Sequence, residues 1–281
     1  MSYIKSQSEI EKILEGGRLM GEILEKLEKM VAVGGNAKEI DTAAEKMIRE
    51  VGGIPAFKGY KPSRHATPFP STICASLNTE IVHGIATEDK VFKEGDIFSI
   101  DIGMQWPAKC GEGQDGNGFF TDTAITVPVG KIDEKTRQLM NVTKKSMYLG
   151  IEQVRVGNSI ADIGKKIQHY IDPQGYGIIR DLVGHGVGHK LHEDPRVPNY
   201  YDKELEMWEI RPGVVIAIEP MITLGDYDIT TGEDGWGIFT ADGSLSAHFE
   251  HTIVVTENGP IVATKRPSEK LPVEIDNSIG I

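Results

Sequence analysis

Residues 93–101 read KEGDIFSID, and residues 211–219 repeat the same pattern as RPGVVIAIE. Each copy starts with a basic residue, has a glycine two positions later and continues as an apolar run. The first copy ends on Asp101 and the second on Glu219, so both end on a carboxylate. Short apolar runs that follow a glycine are typical of buried strands. The repeat therefore predicts two equivalent strands, each with an acidic residue at its end.

The repeat continues on both sides of these strands. Asp122 opens the run DTAITV, and Glu250 opens its counterpart, EHTIVV. Upstream, HGI at residues 83–85 matches HGV at residues 185–187. One internal duplication explains this order, and two copies packed about a pseudo-two-fold axis would bring the four carboxylates to one centre. Acidic residues at strand ends are also typical of solvated turns, but four in matching register favour a shared site.

Composition and charge narrow the class of protein. The 281 residues include 42 acidic and 30 basic ones, which gives a formal charge of −12. An acidic balance argues against binding to nucleic-acid phosphates, and no apolar run reaches the roughly 18 residues of a membrane span. The first residues lack the apolar core of a signal peptide, and Cys74 and Cys110 are too few for a disulfide framework. We expect a cytoplasmic protein that binds neither DNA nor membrane.

Hydrophobic periodicity predicts mixed helices and strands. A capping box at residues 6–9 opens a first helix that ends at Gly34–Gly35, and a second helix starts near Asn36. Later helices are predicted at 134–154 and 159–171, and strands at 72–77, 97–102, 121–127, 178–182, 214–218, 245–249 and 252–256. This mixture predicts one α+β domain over residues 1–281, with halves at 6–130 and 131–266 and a loose tail at 269–281.

Four carboxylates in one apolar centre would repel one another unless some are protonated or cations are bound. Two divalent ions bridged by shared carboxylates would remove this repulsion. His185, within the run GHGVGH, is the best imidazole ligand, and an imidazole shifts the preference towards Mn, Fe, Co or Zn. A glycine-rich turn with surface histidines fits the spacing equally well, since no His-Glu-x-x-His motif is present.

Six short motifs follow one another along the chain: NTEIVHGI (78–85), GDIFSID (95–101), GHGVG (184–188), HEDP (192–195), IEPM (218–221) and EHTIVV (250–255). Together they resemble the methionine aminopeptidases of the pita-bread fold. Each motif is weak alone, but the ordered set is specific, and the resemblance extends from the first helix to about Arg266. It implies an internally duplicated domain with pseudo-two-fold symmetry around a curved antiparallel sheet.

The resemblance implies five ligands for two divalent metal ions, with Co, Mn, Fe and Zn as candidates. Asp122 and Glu250 would bridge both ions. Asp101 would hold one ion alone, and His185 with Glu219 would hold the other. Glu219 would also move the proton during the reaction.

The resemblance further implies a substrate site beside the metals. His83 and His192 would contact the substrate and stabilise the tetrahedral intermediate. Leu191 replaces a Phe that is common in the pocket wall. The pocket for the methionine side chain would be lined by Phe57, Tyr60, Cys74 and Trp236, although Cys74 also fits a small buried hydrophobe.

The other histidines have weaker interpretations. His248 stands where the family often carries Gln, and we favour a side-chain hydrogen bond over a contact with the metal shell. The rest are expected to be structural or exposed: His65, His169, His189 and His251.

The implied function is removal of the initiator methionine from nascent polypeptides, preferably before a small second residue, by metal-hydroxide attack on the first peptide bond. Type I is favoured because only 26 residues separate His192 from Glu219. A proline-directed peptidase of prolidase or aminopeptidase P type is the alternative. A non-enzymatic binding protein is disfavoured because all five ligand positions are filled. We expect a monomer, with ribosome association as a further hypothesis.

Two segments are longer than the family pattern and are predicted to be enlarged loops, at residues 61–70 and 103–119. The second contains GEGQDG at 111–116, which mimics a dinucleotide fingerprint without a βαβ context. It also contains DGNG at 115–118, which resembles a calcium loop without its terminal Glu. An elongated hairpin is the preferred interpretation. Asp115 competes with Asp122 as a ligand, and Asp122 is preferred because it pairs with Glu250 in the repeat.

Overall fold

The computed structural model describes residues 3–108 and 118–275. Its four described α-helices are α1 Gln7–Glu28, α2 Ala37–Glu50, α3 Glu134–Ile151 and α4 Ile160–Ile171, with short 3₁₀ helices at Asp172–Gln174 and Lys203–Met207. The described strands are β1 Ile54–Pro55, β2 Ile73–Leu77, β3 Glu80–Val82, β4 Ile97–Trp106, β5 Phe119–Pro128, β6 Gly177–Ile178, β7 Gly184–Gly186, β8 Glu193–Val197, β9 Val215–Ile218, β10 Met221–Thr223, β11 Ile229–Thr231, β12 Ile238–Thr240, β13 Ser246–His248, β14 Glu250–Thr256 and β15 Gly259–Val262.

The main sheet has the strand order β1-β4-β5-β14-β9-β7-β8, with β2 also paired to β4 and β15 to β14. All of these pairs are antiparallel. Two three-stranded sheets, β13-β10-β6 and β11-β12-β3, complete the strands of the described residues. In the central order β4-β5-β14-β9, β4 and β5 belong to the first copy of the predicted repeat. Strands β9 and β14 are their counterparts in the second copy, so the order is symmetric. The two copies of the repeat thus meet where β5 pairs with β14.

The helices cover one face of the main sheet. Ile100 and Ile102 of β4 belong to the same apolar core as Met20 and Leu24 of α1. Because side chains alternate between the faces of a strand, Asp101 must point to the opposite face. The fold therefore separates a helix-covered apolar face from a face that carries the carboxylate.

Helix α1 packs very closely on the segment that follows β15. A Cβ atom at Gly21 would lie 2.4 Å from the carbonyl oxygen of Lys265, so this helix position requires glycine. The predicted capping box is confirmed, with the Ser6 backbone N–H donating to the Glu9 carboxylate over 2.7 Å. The helix ends at Glu28 rather than at Gly34–Gly35, so the predicted end was wrong.

The long hairpin predicted between Asp101 and Asp122 is confirmed. Strands β4 and β5 pair continuously from Ile97 opposite Pro128 to Trp106 opposite Phe119. Residues 103–106 and 119 therefore belong to strands, although the predicted loop at 103–119 included them. Residues 109–117, with Asp115 and the GEGQDG run, lie outside the described residues.

Two other predictions differ from the structure. The strand predicted at 178–182 is limited to Gly177–Ile178, which lie opposite Thr223 and Ile222 of β10. In the tail predicted to be loose from residue 269, Glu269 and Ile275 are buried, at 7% and 1% exposure, whereas Val273 between them is 89% exposed. The polar composition of the tail concealed a buried ion cluster, in which Arg266 donates to Glu269 over 2.6 Å. None of the helices in the described ranges combines the length and apolar character needed to cross a membrane.

Candidate active site

Strand register brings four carboxylates to one face of the main sheet. Asp101 of β4 and Glu250 of β14 both lie opposite Ala124 of β5. Asp122 precedes Ala124 by two residues on the same strand and therefore shares its face. Glu219 directly follows β9, and Ile218 opposite His251 sets it beside Glu250. The pairing alone thus explains why the repeated acidic residues converge.

These carboxylates line one cavity of about 1110 Å³ together with His185. The Nε2 atom of His185 lies 3.4 Å from Oε1 of Glu219 and 3.9 Å from Oδ2 of Asp122. Asp122, His185 and Glu250 each offer a ligand atom, and these atoms lie within 4.8 Å of one another. All five residues expected to be ligands therefore line the same cavity, and three of them form a candidate metal cluster.

The electrostatics of the cavity favour a cation. Burial raises the pKa of Asp101 to about 7, and burial together with neighbouring carboxylates raises the pKa values of Asp122, Glu219 and Glu250. Burial also lowers the pKa of His185 to about 3, so its imidazole is neutral, the form that binds metals. Four carboxyl groups that resist ionisation beside a neutral imidazole would gain from a bound divalent ion.

Unpaired oxygen atoms support the same conclusion. Within the described part of the chain, Oδ1 of Asp101, Oδ1 of Asp122 and Oε1 of Glu250 are buried without a hydrogen-bond partner. Buried polar atoms normally have partners, so each exception calls for a physical reason. Carboxylate oxygens and imidazole nitrogen are ligands that Mn, Fe, Co and Zn accept. The donor set therefore fits divalent transition metals.

His83 and His192 flank this cluster in the same cavity. The hydroxyl of Tyr60 lies 3.1 Å from Nδ1 of His192, whose ring centroid is 4.5 Å from that of His185. His83 has a φ of 59°, and a Cβ atom on the following Gly84 would lie 2.4 Å from the carbonyl oxygen of Ala75. Burial lowers the pKa of His83 to about 4 and also lowers that of His192. Both rings are thus neutral near pH 7 and can each donate one hydrogen bond.

An apolar pocket adjoins the carboxylates. Its buried members are Phe57, Phe69, Cys74 and Leu191, with Tyr60 and Trp236 packed against them. Phe69 was not predicted to be here, because the prolines around it suggested an irregular loop. Its backbone N–H donates to the carbonyl of Tyr60 over 2.9 Å, which folds the 61–70 segment back onto the pocket. Burial raises the pKa of the Cys74 thiol well above its usual value, consistent with an inert hydrophobic role.

The remaining histidines divide into surface and buried groups. His65 and His169 are exposed. His189 lies at the cavity rim with Nε2 2.8 Å from Oε1 of Glu9. His251 is buried on the helix side of the sheet, with Nδ1 3.0 Å from the hydroxyl of Thr264 and Nε2 3.3 Å from Glu269.

A residue that sequence reasoning missed lies at the start of the chain. The Lys5 ammonium group forms an ion pair with Glu193, the residue after His192, and donates to the carbonyl of Tyr3 over 3.0 Å. The backbone N–H of Lys5 donates to the carbonyl of Gly213 over 2.8 Å. The N-terminal segment is thus tied to the loop that carries His192. No local pattern marks such a pair, because its partners are 188 residues apart.

Comparison with known proteins gives consistent likenesses. Residues 11–257 match the model of metallopeptidase family M24. The chain is 40% identical over 264 residues to the methionine aminopeptidase of Clostridium acetobutylicum, covering 94% of this chain and 99% of that relative. The crystal structure of methionine aminopeptidase from Thermotoga maritima matches with a TM-score of 0.84 and 38% identity, covering 94% of this chain and 99% of that one.

A prolidase from Pyrococcus horikoshii matches with a TM-score of 0.72 at 22% identity, a likeness of fold alone. That match covers 96% of this chain but 65% of the prolidase. The two structural likenesses confirm the predicted α+β pita-bread fold.

Proposed function

Because this chain belongs to metallopeptidase family M24, we propose that it hydrolyses the first peptide bond of polypeptides that begin with methionine and releases that methionine. One observation carries the proposal: an apolar pocket and a carboxylate cluster line a single cavity. The likeness to methionine aminopeptidases over nearly their whole length supports this substrate. A small second residue, such as Ala or Ser, is the expected preference.

We assign the metal ligands by the donor atoms that face the cavity. Asp122 and Glu250 would be shared by two divalent cations, with Asp101 at one position and His185 and Glu219 at the other. Bound divalent ions supply a Lewis acid for the scissile carbonyl and a nucleophile from water near neutral pH. The candidates are Co, Mn, Fe and Zn, and elemental analysis of protein purified without added metal, followed by reconstitution of activity, identifies the ion.

The other groups of the cavity would act on protons and charge. Glu219 would accept a proton from the attacking water and pass it to the leaving amine. Neutral His83 and His192 can donate hydrogen bonds to the carbonyl oxygen as negative charge develops on it. Tyr60 orients His192 through the contact at Nδ1.

The apolar pocket would select the first side chain. Phe57, Phe69 and Leu191 are buried around it, and burying a Met side chain contributes about 1.5–3 kcal/mol to binding. An unbranched thioether can adapt to such a wall, whereas a charged side chain would lose its hydration without a partner.

A synthetic Met-Ala-Ser peptide tests this proposal when free methionine is measured with Mn²⁺ or Co²⁺ present. The wild type should release methionine, and His185→Ala should not, since it removes the imidazole from the cluster. No methionine release by the wild type would contradict the function, and full activity of His185→Ala would contradict the ligand assignment. We also propose a cytoplasmic monomer, with ribosome association tested by co-sedimentation.

Proline-directed hydrolysis is the second candidate, because the pita-bread fold is shared with a prolidase. It is less supported, since the chain covers 65% of that prolidase but 99% of the methionine aminopeptidase relatives cited above. Release of an amino acid from an X-Pro dipeptide, with Met-Ala-Ser left intact, would favour this alternative.

A further inference from the structure

His248 is a buried polar side chain without a partner. It is 1% exposed, and in the described part of the chain neither ring nitrogen has a hydrogen bond. It is the last residue of β13, pairs with Met221 of β10 and precedes Glu250 by two residues. Burying a polar group without a hydrogen-bond partner is destabilising, so the position of this imidazole needs an explanation.

The ring of His248 faces Glu219. Its Nε2 atom lies 3.7 Å from Oε2 of Glu219, while Nε2 of His185 lies 3.4 Å from Oε1 of the same carboxylate. The amide of Asn199 donates to the Glu219 carbonyl over 3.1 Å, so the backbone there is held. The Glu219 carboxylate therefore lies between two imidazoles, one on each oxygen.

The two imidazoles differ in their access to the cavity. His185 lines it, whereas His248 is not among its lining residues in the described chain. His185 shares a cluster of close donor atoms with Asp122 and Glu250, and His248 is not part of that cluster. His248 thus lies beside the Glu219 carboxylate without itself lining the cavity.

We propose that His248 is a positioning residue whose Nε2–H donates a hydrogen bond to Oε2 of Glu219 in the metal-loaded protein. The closure needed is less than an ångström, from 3.7 Å to a normal hydrogen-bond length. This bond leaves Oε1 directed towards His185 and the cavity. The inference deepens the proposed function and rests on it, because it assigns the group that orients the proposed proton carrier.

Two substitutions of His248 distinguish the loss of its hydrogen bond from a loss of side-chain packing. His248→Gln keeps an N–H donor of similar reach, and His248→Leu removes the donor but still fills the site with a side chain of comparable size. Loss of a hydrogen bond that orients a ligand typically costs 10- to 100-fold in metal affinity or activity. We expect His248→Leu to lower kcat on Met-Ala-Ser about 10- to 100-fold with little change in KM, and His248→Gln to stay near the wild type. Circular dichroism and thermal melting check that both variants fold.

Calorimetric titration of Mn²⁺ into metal-free protein gives a readout that does not depend on turnover. Weaker binding of one Mn²⁺ by His248→Leu, restored in His248→Gln, supports the proposal. Wild-type affinity and kcat in His248→Leu would overturn it, and so would a His248→Gln variant as impaired as His248→Leu.

Nitrogen-15 NMR of histidine-labelled wild type loaded with Zn²⁺ tests the bond even where the Leu variant does not fold. A proton on Nε2 of His248 supports the proposal, and a metal-shifted or unprotonated Nε2 overturns it. A wild type that releases no methionine contradicts the proposed function, whereas an active wild type with an unimpaired His248→Leu variant contradicts only the role of His248.

Discussion

Lys5 forms an ion pair with Glu193, and its side chain is fully buried by the pairing. Burial lowers the pKa of Lys5 although the carboxylate of Glu193 opposes that shift. The pair fastens the first residues of the chain to the loop that carries His192. A break in this pair should therefore affect both folding stability and the proposed catalytic site.

Lys5→Met should lower the free energy of unfolding by roughly 3–5 kcal/mol, because it leaves the Glu193 carboxylate, whose side chain is 12% exposed, without its cation. It should also lower kcat on Met-Ala-Ser, since the His192 loop loses its anchor. Urea unfolding and steady-state kinetics measure the two effects. Lys29→Met is the matched control, because the Lys29 side chain is 68% exposed whereas that of Lys5 is fully buried, so its pair with Glu25 should be worth at most about 1 kcal/mol. Equal effects of the two substitutions would show that the buried pair has no special role.

The Glu269 cluster should make stability depend on pH. Burial alone would raise the pKa of Glu269, but the interactions with His251 and Arg266 outweigh it and lower the pKa below its usual value of 4.5. A lowered folded-state pKa adds stability above the unfolded-state pKa, and this stability is lost as pH falls through the folded-state pKa.

Glu269→Gln should therefore destabilise the protein by roughly 3–5 kcal/mol at pH 7, because it leaves Arg266 buried without its anion. The difference from the wild type should narrow as pH falls below 4.5. Urea unfolding at pH 7, 5 and 4 measures it. A difference that grows on acidification would contradict the assigned direction of the pKa shift.

A bound divalent metal should reverse the effect of Glu250→Gln on thermal stability. In metal-free protein, burial and the neighbouring carboxylates raise the pKa of Glu250. A neutral Gln at this position should remove that repulsion and raise Tm.

With Mn²⁺ present, Glu250→Gln should instead lower Tm relative to the wild type, because it loses a ligand. Saturating metal stabilises the wild type by about 2.7 kcal/mol at 100 times Kd. Thermal melts in EDTA and in Mn²⁺ make the comparison. A Glu250→Gln variant that is less stable in both conditions would argue against repulsion among these carboxylates.

Phe69 should contribute to recognition of the methionine side chain. Its ring packs edge-on against Trp236, with centroids 5.1 Å apart. Phe69→Leu should raise KM for Met-Ala-Ser several-fold with kcat little changed, the sign of lost binding in ground state and transition state alike. Phe92→Leu, in the distant core beside Phe98, is the control for general packing loss and should leave KM unchanged. A KM shift of equal size in both variants would remove Phe69 from the pocket assignment.

The repeated motifs predicted the central strands and the convergence of Asp101, Asp122, Glu219 and Glu250, because these depend on local alternation and on the symmetry of two copies. Features that depend on distant partners could not be predicted. Lys5 and Glu193 have no local signature, and Phe69 was hidden among prolines. The division into halves at 6–130 and 131–266, the number of bound ions and their identity stay predictions.

The last helical turns and the tail show a further limit of sequence reasoning. Gly34–Gly35 is a plausible stop signal, yet α1 ends at Glu28, and the chain continues in turns in which Met30 N–H donates to the Leu27 carbonyl. The segment 269–275 begins with two charged residues, yet the ion pair between Arg266 and Glu269 holds the first of them in the interior. Charges that satisfy one another are invisible to a reading based on hydrophobicity alone.

The position of Ala124 determines the distance between the backbones of Asp101 and Glu250. Asp101 and Glu250 lie opposite it on the two neighbouring strands, so their backbones are about 9–10 Å apart, which is two interstrand spacings. Hydrogen bonds between the strands fix the spacing of the two acids. Ala124, which lies between them, carries only a methyl group, the smallest side chain that has a Cβ atom. The distance across which the acids must reach is therefore set by backbone pairing and is insulated from changes in the loops around the cavity.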